Sequence, residues 1–148
     1  MNLDYYDLKA GKNLTTFEFA SEGPKGRIVK VVQFIPTNLK GLFNLAFGDK
    51  NIDTGQLDDM AVSNNGDTER ILSTVTASVY AFTNRYPDVW VYATGSTLVR
   101  TRLYRMGILR YLDKALIDFD IFGEIGENWE PFTKGKNYDG FLVRRKKM

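Results

Sequence analysis

Three segments rich in β-branched and aromatic residues follow one another in the first third of the chain. The longest, residues 27–35 (R-I-V-K-V-V-Q-F-I), is dense in β-branched side chains, and Pro36 closes it. Residues 16–20 and 39–48 flank it, and the latter alternates large apolar side chains with smaller or polar ones. The connections are short and contain Gly or Pro, which favours hairpins. The pattern predicts an antiparallel meander of three strands.

A helix is predicted after the polar stretch 49–66, which is rich in Asp, Asn and Gly and is expected to be a long loop. Asp67 is the expected N-cap, with Glu69 favourably placed against the helix dipole. The sequence Tyr86-Pro87-Asp88 stops the helix. Apolar side chains recur at helical spacing between these limits, at Ile71, Leu72, Val75, Val79 and Phe82.

The second half of the chain predicts a strand at residues 89–93, a second helix interrupted at Gly107, and a further helical turn over 109–116. Two last strands are expected over 118–125 and 138–145. The order is then β-β-β-α-β-α-β-β. It predicts a two-layer α+β fold, with a mixed or mostly antiparallel sheet of about five to six strands and two main helices.

Composition removes several classes of chemistry. The 148 residues include no Cys and no His, so disulfides, thiolate metal sites, a Ser-His-Asp triad and imidazole acid–base steps are excluded. No linker or repeat divides the chain, which predicts a single globular domain over residues 1–148. Without a signal-peptide pattern or a long apolar segment, the expected location is cytoplasmic, with no membrane partner.

The turn after the predicted fourth strand, Thr-Gly-Ser-Thr, is the candidate binding site. A glycine at a strand-to-helix turn lets a ligand approach the backbone, and the first amides of a helix are unpaired donors that favour anions. The expected ligand is a phosphorylated small molecule or nucleic acid. The residues expected to bind its phosphate are Gly95, Ser96, Thr97, Arg100 and Arg102. The alternative is that Ser96 only caps the helix, and that the two arginines are solvated or pair with carboxylates.

An enzymatic alternative uses the same turn. Gly-Ser after a strand is also found in nucleotidyltransferases, which add an Asp-x-Asp pair for a metal on a following strand. Asp118 and Asp120 have that spacing, so they are the two weak candidates for metal ligands in a chain that otherwise predicts no metal site. The alternative function is therefore a phosphate-ester enzyme, which would be either a nuclease-like toxin or an enzyme of the nucleotidyl-transfer type. However, 21 residues separate Ser96 from Asp118, which is longer than is usual there.

The C-terminal segment interleaves basic and aromatic residues, a pattern that can contact nucleic acid through phosphates and stacking. The candidate contacts are Lys136, Tyr138, Arg144 and Arg145. A basic tail that only aids solubility is the alternative, since the net charge of the chain is +2. A third hypothesis is an assembly module or homo-oligomer whose aromatic residues pack against a protein partner, at Phe17, Phe19, Trp90 and Trp129. The alternative is that most of these aromatic residues belong to the core.

Four motifs carry a resemblance to known proteins: G-S-T-x-x-R-T-R-L-Y from Gly95, K-G-K-N-Y-D-G-F-L-V from Lys134, N-L-A-F-G-D from Asn44 and S-N-N-G-D from Ser63. With them the chain resembles a family of small bacterial proteins classed as a domain of unknown function, over nearly its whole length. The resemblance implies a bacterial, cytoplasmic protein. It implies no activity, cofactor or catalytic residue.

Taken together, the residues favour a non-enzymatic binding or regulatory domain with an anion pocket at the Thr-Gly-Ser-Thr turn. The cofactor and the catalytic residues, if any, stay open at this level.

Overall fold

The computed structural model describes residues 5–58, 65–94 and 98–147, with side chains in the last range from residue 101 onward. The strands are β1 Lys9–Ala10, β2 Thr16–Gly23, β3 Gly26–Pro36, β4 Leu42–Lys50, β5 Leu57–Asp58, β6 Trp90–Ala93, β7 Phe119–Ile125, β8 Asn128–Pro131 and β9 Gly140–Arg145. The helices are α1 Thr68–Arg85, α2 Leu98–Arg110 and α3 Leu112–Asp118, and a 3-10 turn covers Lys12–Leu14.

The expected sheet of five to six strands with two main helices is wrong, and so is the expected order of elements. The described residues form one mixed sheet of nine strands and three helices. β1 and β5 have two residues each and β8 has four, which is too short for an alternating pattern to show. Their extended conformation comes from pairing with a neighbouring strand rather than from local sequence.

The break in the second helical region also differs from the prediction. α2 continues through Gly107 to Arg110, and the break falls at Tyr111, whose φ of −117° and ψ of 24° leave the helical region. A glycine inside a helix weakens it without ending it. Gly107 therefore stays helical, and α3 begins one residue after Tyr111.

The sheet has the spatial order β1-β2-β3-β4-β6-β9-β7-β8, with β5 paired to the end of β4. β2, β3 and β4 form the antiparallel meander, and β4 then pairs with β6 in parallel, the connection between them carrying α1. β9 comes last of the strands but lies between β6 and β7, antiparallel to both. The two halves of the sheet are therefore joined through β9.

The hydrophobic core lies between one face of the sheet and the helices. Phe17 on β2 is opposite Val32 on β3, and both are buried under the helices together with Phe34. Phe34 stacks on Phe82 of α1 with ring centroids 4.1 Å apart. Burial of such aromatic side chains is a main source of stability for a domain of this size.

The start of α1 is held from the side rather than capped in the usual way. Asp67 precedes α1 as predicted, but its side chain makes no capping hydrogen bond. Its Oδ2 instead accepts hydrogen bonds from Tyr6 Oη and Ser21 Oγ, each at 2.6 Å. Asp67 therefore ties α1 to β2 and to the segment before β1. No helix in the described ranges is both long enough and apolar enough to span a lipid bilayer.

Candidate functional site

The predicted anion turn lies largely outside the described residues. Gly95, Ser96 and Thr97 are not among them, and neither is the side chain of Arg100. Thr94 and Arg102, on either side of the gap, are described. Arg102 is exposed on α2 and forms no ion pair with another described residue.

Thr94, at the end of β6, links the predicted turn to the loop that precedes β9. Its Oγ1 donates a 2.9 Å hydrogen bond to the carbonyl oxygen of Asp139. Asp139 in turn accepts a hydrogen bond through its Oδ2 from the backbone N–H of Gly126, at 3.2 Å. The two segments that the sequence analysis treated as separate candidates, 94–102 and 134–145, are therefore neighbours in the fold.

Tyr138 anchors this loop. It is only 6% exposed, and its Oη donates to Glu130 Oε2 at 2.9 Å and accepts from the Thr133 N–H at 3.0 Å. Its ring packs against the backbone of Gly123 on β7 and against Phe141. Because the hydroxyl is hydrogen-bonded and the ring is packed, Tyr138 fixes the position of the neighbouring loop residues. Tyr138 is thus part of the core and not an exposed stacking surface.

Arg105 on α2 makes the contact between helix and loop. Its Nη1 donates a hydrogen bond to Oδ1 of Asn137. Among the described residues, its buried Nε has no hydrogen-bond partner and Arg105 forms no ion pair. The observed partner of this guanidinium is therefore a neutral amide and not a carboxylate. Local sequence does not distinguish Arg105, because its partner Asn137 lies 32 residues further along the chain.

Two lysines belong to the same loop. Lys136 Nζ donates to Glu130 Oε2 at 2.8 Å. This hydrogen bond and that from Tyr138 lower the pKa of Glu130, and Glu130 raises the pKa of Lys136. Lys134 is exposed and forms no ion pair within the described ranges. We refer to Arg102, Arg105, Lys134, Lys136 and Asn137 as the helix–loop site.

The two C-terminal arginines point to opposite faces of β9. The guanidinium of Arg144 lies 4.3 Å from the ring centre of Trp90, and its Nη2 is 3.7 Å from Asp120 Oδ2. Arg145 instead contacts α1, where its Nε donates to Thr83 Oγ1 at 2.9 Å and its Nη2 to Asn84 Oδ1 at 2.7 Å. The structure does not bring the four candidate nucleic-acid residues onto one surface.

The Asp-x-Asp pair is also divided. Asp118 ends α3 rather than lying on a strand. Its Oδ2 accepts a hydrogen bond from Tyr80 Oη at 2.5 Å and forms an ion pair with Lys114 Nζ at 2.9 Å. Asp120 pairs with Arg144 on the other side of the sheet. Within the described ranges no group of three or more metal-binding side chains is found.

The sheet face opposite the helices carries aromatic side chains. Trp90 packs against Phe122 with ring centroids 5.9 Å apart, and Trp129 meets the edge of Tyr92 at 5.8 Å. Trp129 is 43% exposed. Phe17 and Phe19, the other two aromatic candidates for contact with a partner, are in the core. Alternation along each strand decides which face each aromatic side chain takes.

The fold and this site define a small domain with one mixed sheet, helices on one face, and basic side chains where α2 meets the loop before β9. A family of unknown function, DUF6934, matches residues 2–146, and the chain belongs to that family. The predicted membership of a family of unknown function is thereby confirmed. No curated protein and no solved structure matches the chain.

Proposed function

We propose that this protein is a non-enzymatic binding domain whose ligand is a phosphorylated small molecule, bound at the helix–loop site. The observation that carries the proposal is the contact of Arg105 with Asn137, which joins the basic side of α2 to the basic loop before β9. Thr94, which follows β6, joins the same loop through its hydrogen bond to the Asp139 carbonyl oxygen. The ligand would bind to the basic side chains of the helix–loop site.

The chemistry of Arg105 favours an anion. Its Nη1 donates to Asn137, and its buried Nε has no hydrogen-bond partner among the described residues. A guanidinium binds the oxygens of a phosphate or carboxylate, and such charge-assisted hydrogen bonds are stronger than neutral ones.

Binding is favoured over catalysis because the nearby carboxylates already have structural partners. Glu130 holds Lys136 and Tyr138, and Asp139 accepts from the Gly126 backbone. An acid–base group must be free to exchange a proton with the ligand. The alternative phosphate-ester enzyme needs Asp118 and Asp120 on one face, and they contact different elements.

A small phosphorylated molecule is favoured over nucleic acid because the basic residues do not continue into a groove. Tyr138 is buried, and Arg144 and Arg145 lie on opposite faces of β9. Nucleic acid binding needs a run of phosphate contacts along one surface.

The test is a thermal-shift screen against inorganic phosphate, nucleotides, sugar phosphates and short oligonucleotides, with and without Mg²⁺. A ligand at 100 times its dissociation constant raises Tm by about 5–10 °C for a domain of this size. Binding of the best ligand is then measured by calorimetry. Arg105→Gln is expected to weaken it by about 10–100-fold, because a charge-assisted hydrogen bond is lost.

Lys40→Gln, an exposed lysine between β3 and β4, is the matched control and should bind as the wild type does. Circular dichroism confirms that each variant is folded. The proposal fails if no phosphate compound raises Tm, or if Arg105→Gln binds with unchanged affinity. An oligonucleotide that binds with a steep salt dependence would favour the nucleic-acid alternative.

A further inference from the structure

A second feature, independent of the helix–loop site, is a cavity of about 100 Å³ between the helices and the sheet, partly open to the surface of the domain. It lies between α1, the break between α2 and α3, and strands β4, β6, β7 and β9. Lining residues from these elements include Leu72, Val79, Ile108, Ala115, Ile121 and Val143. Side chains that pack between a sheet and its helices normally leave few gaps of this size, so the cavity is a distinct feature of the packing.

Three of the polar side chains in the lining, Thr76, Tyr80 and Tyr111, have their hydroxyl groups in hydrogen bonds to other residues. Thr76 Oγ1 donates to the Leu72 carbonyl oxygen at 2.8 Å. Tyr80 Oη donates a hydrogen bond to Asp118 Oδ2, and Tyr111 Oη is hydrogen-bonded to Ser73 Oγ. Burial and the bond to Asp118 raise the pKa of Tyr80, so its hydroxyl stays protonated. These side chains present ring and methyl surface to the cavity.

A water molecule needs two to four polar partners to be held stably in a cavity, and an enclosed apolar cavity of about 150 Å³ stays dry and takes up benzene or xenon. We propose that this cavity is a binding site for a small apolar molecule, or the apolar group of a larger one, up to about the size of benzene. Its occupant is selected by volume and by the absence of a polar partner, and not by charge.

Benzene is the probe. At ten times its dissociation constant it is expected to raise Tm by about 3–6 °C. In methyl NMR spectra, the shifts should be confined to cavity methyl groups such as those of Leu72, Val75 and Val143. Ala115→Leu adds three carbon atoms at the cavity wall and should abolish both effects. Ala77→Leu is the matched control, the same change on α1 at a residue that is not in the lining.

A Tm rise and cavity-confined shifts in the wild type and in Ala77→Leu, absent from Ala115→Leu, support the site. The absence of both effects in the wild type overturns the proposal. So does an equal Tm rise in folded Ala115→Leu.

If Ala115→Leu does not fold, the double variant Val75→Ile with Val143→Ile replaces it, since it fills part of the space with two methylene groups. Affinity for benzene should then fall at least about tenfold, the loss expected when two buried methylenes occupy the binding volume. Unchanged affinity in that variant overturns the proposal. Binding of phosphate compounds at the helix–loop site is a separate readout, and neither result depends on the other.

Discussion

Gly123 on β7 lies directly beneath the ring of Tyr138. A Cβ at this position would be 2.4 Å from Cδ1 of that ring, well inside van der Waals contact. The neighbouring backbone belongs to a strand paired on both sides, by β8 and β9, and cannot move away freely. Gly123 therefore makes room for the residue that anchors the loop of the helix–loop site.

Gly123→Ala is expected to lower the free energy of unfolding by about 1–3 kcal/mol, the usual cost of overpacking a core. Urea unfolding at neutral pH measures it. Gly107→Ala is the matched control, because its Cβ would lie 3.5 Å from Leu72 Cδ2, an ordinary contact. In a helix that change should stabilise by about 0.5–1 kcal/mol. Equal stability of Gly123→Ala and the wild type would contradict the close contact.

Residue-scale roles were only partly predictable. The opposite directions of Arg144 and Arg145 follow from the alternation of a strand. Their partners do not, because Trp90 and Thr83 reach β9 only through the tertiary fold. For the same reason Arg105 looked like one of several arginines on a helix, and only its contact with Asn137 distinguishes it.

At the scale of elements, the junction of α3 with β7 is held by Asp118. Burial acts to raise the pKa of this carboxyl, but the hydrogen bonds from Tyr80 and Lys114 outweigh it and hold the pKa below its ordinary value of 3.8. The carboxylate thereby connects α1, α3 and the start of β7. A lowered pKa in the folded state means that the charged form stabilises the fold.

The stabilisation of the fold by the Asp118 carboxylate is fully present above about pH 4, the pKa of Asp in the unfolded chain. It is lost as the pH falls through the lower pKa that Asp118 has in the folded state. Asp118→Asn should therefore cost about 1–2 kcal/mol of unfolding free energy at pH 7, and the difference from the wild type should narrow between pH 4 and pH 2. Urea titrations at pH 7, 5 and 3 measure it. Asp113→Asn, exposed on the same helix, should show little change, and a constant difference for Asp118→Asn at all pH values would refute the assignment.

Long elements could be predicted from sequence, and short ones could not. β2, β3, β4 and α1 repeat apolar side chains over eight or more residues, which is enough for a period to show. β1, β5 and β8 are extended because a neighbour offers hydrogen bonds, so only the assembled sheet reveals them. This is why the expected number of strands was too low.

At the scale of the whole molecule, β9 is the strand that unites the sheet. Leu142 pairs with Tyr92 on one side and Phe122 on the other. Proline cannot donate a backbone hydrogen bond and is not tolerated in a central strand. We expect Leu142→Pro to abolish the cooperative unfolding transition, as followed by calorimetry.

Ala10→Pro provides the comparison, because β1 is a two-residue edge strand. It should keep a cooperative transition and lose about 1 kcal/mol or less. If Leu142→Pro unfolds with the same cooperativity as Ala10→Pro, then β9 does not join the two halves of the sheet.

The candidate site was predictable as two segments and not as one place. The Gly-Ser turn followed by two arginines marked segment 94–102, and the basic and aromatic content marked segment 134–145. Their contact depends on β9 entering beside β6, a pairing of strands about 50 residues apart along the chain. Local sequence carries no information on such a pairing. The cavity is equally hidden, since it depends on how three helices meet the sheet.

The late position of β9 has a consequence for folding kinetics. The β7–β8 hairpin closes through a two-residue turn, and the β2–β4 meander is also local. Before β9 pairs with them during folding, β6 and β7 each have one unpaired edge. Unpaired strand edges also pair with the strand edges of other molecules. We therefore expect the yield of refolding to fall as protein concentration rises, because a second molecule competes with β9 for the same two edges.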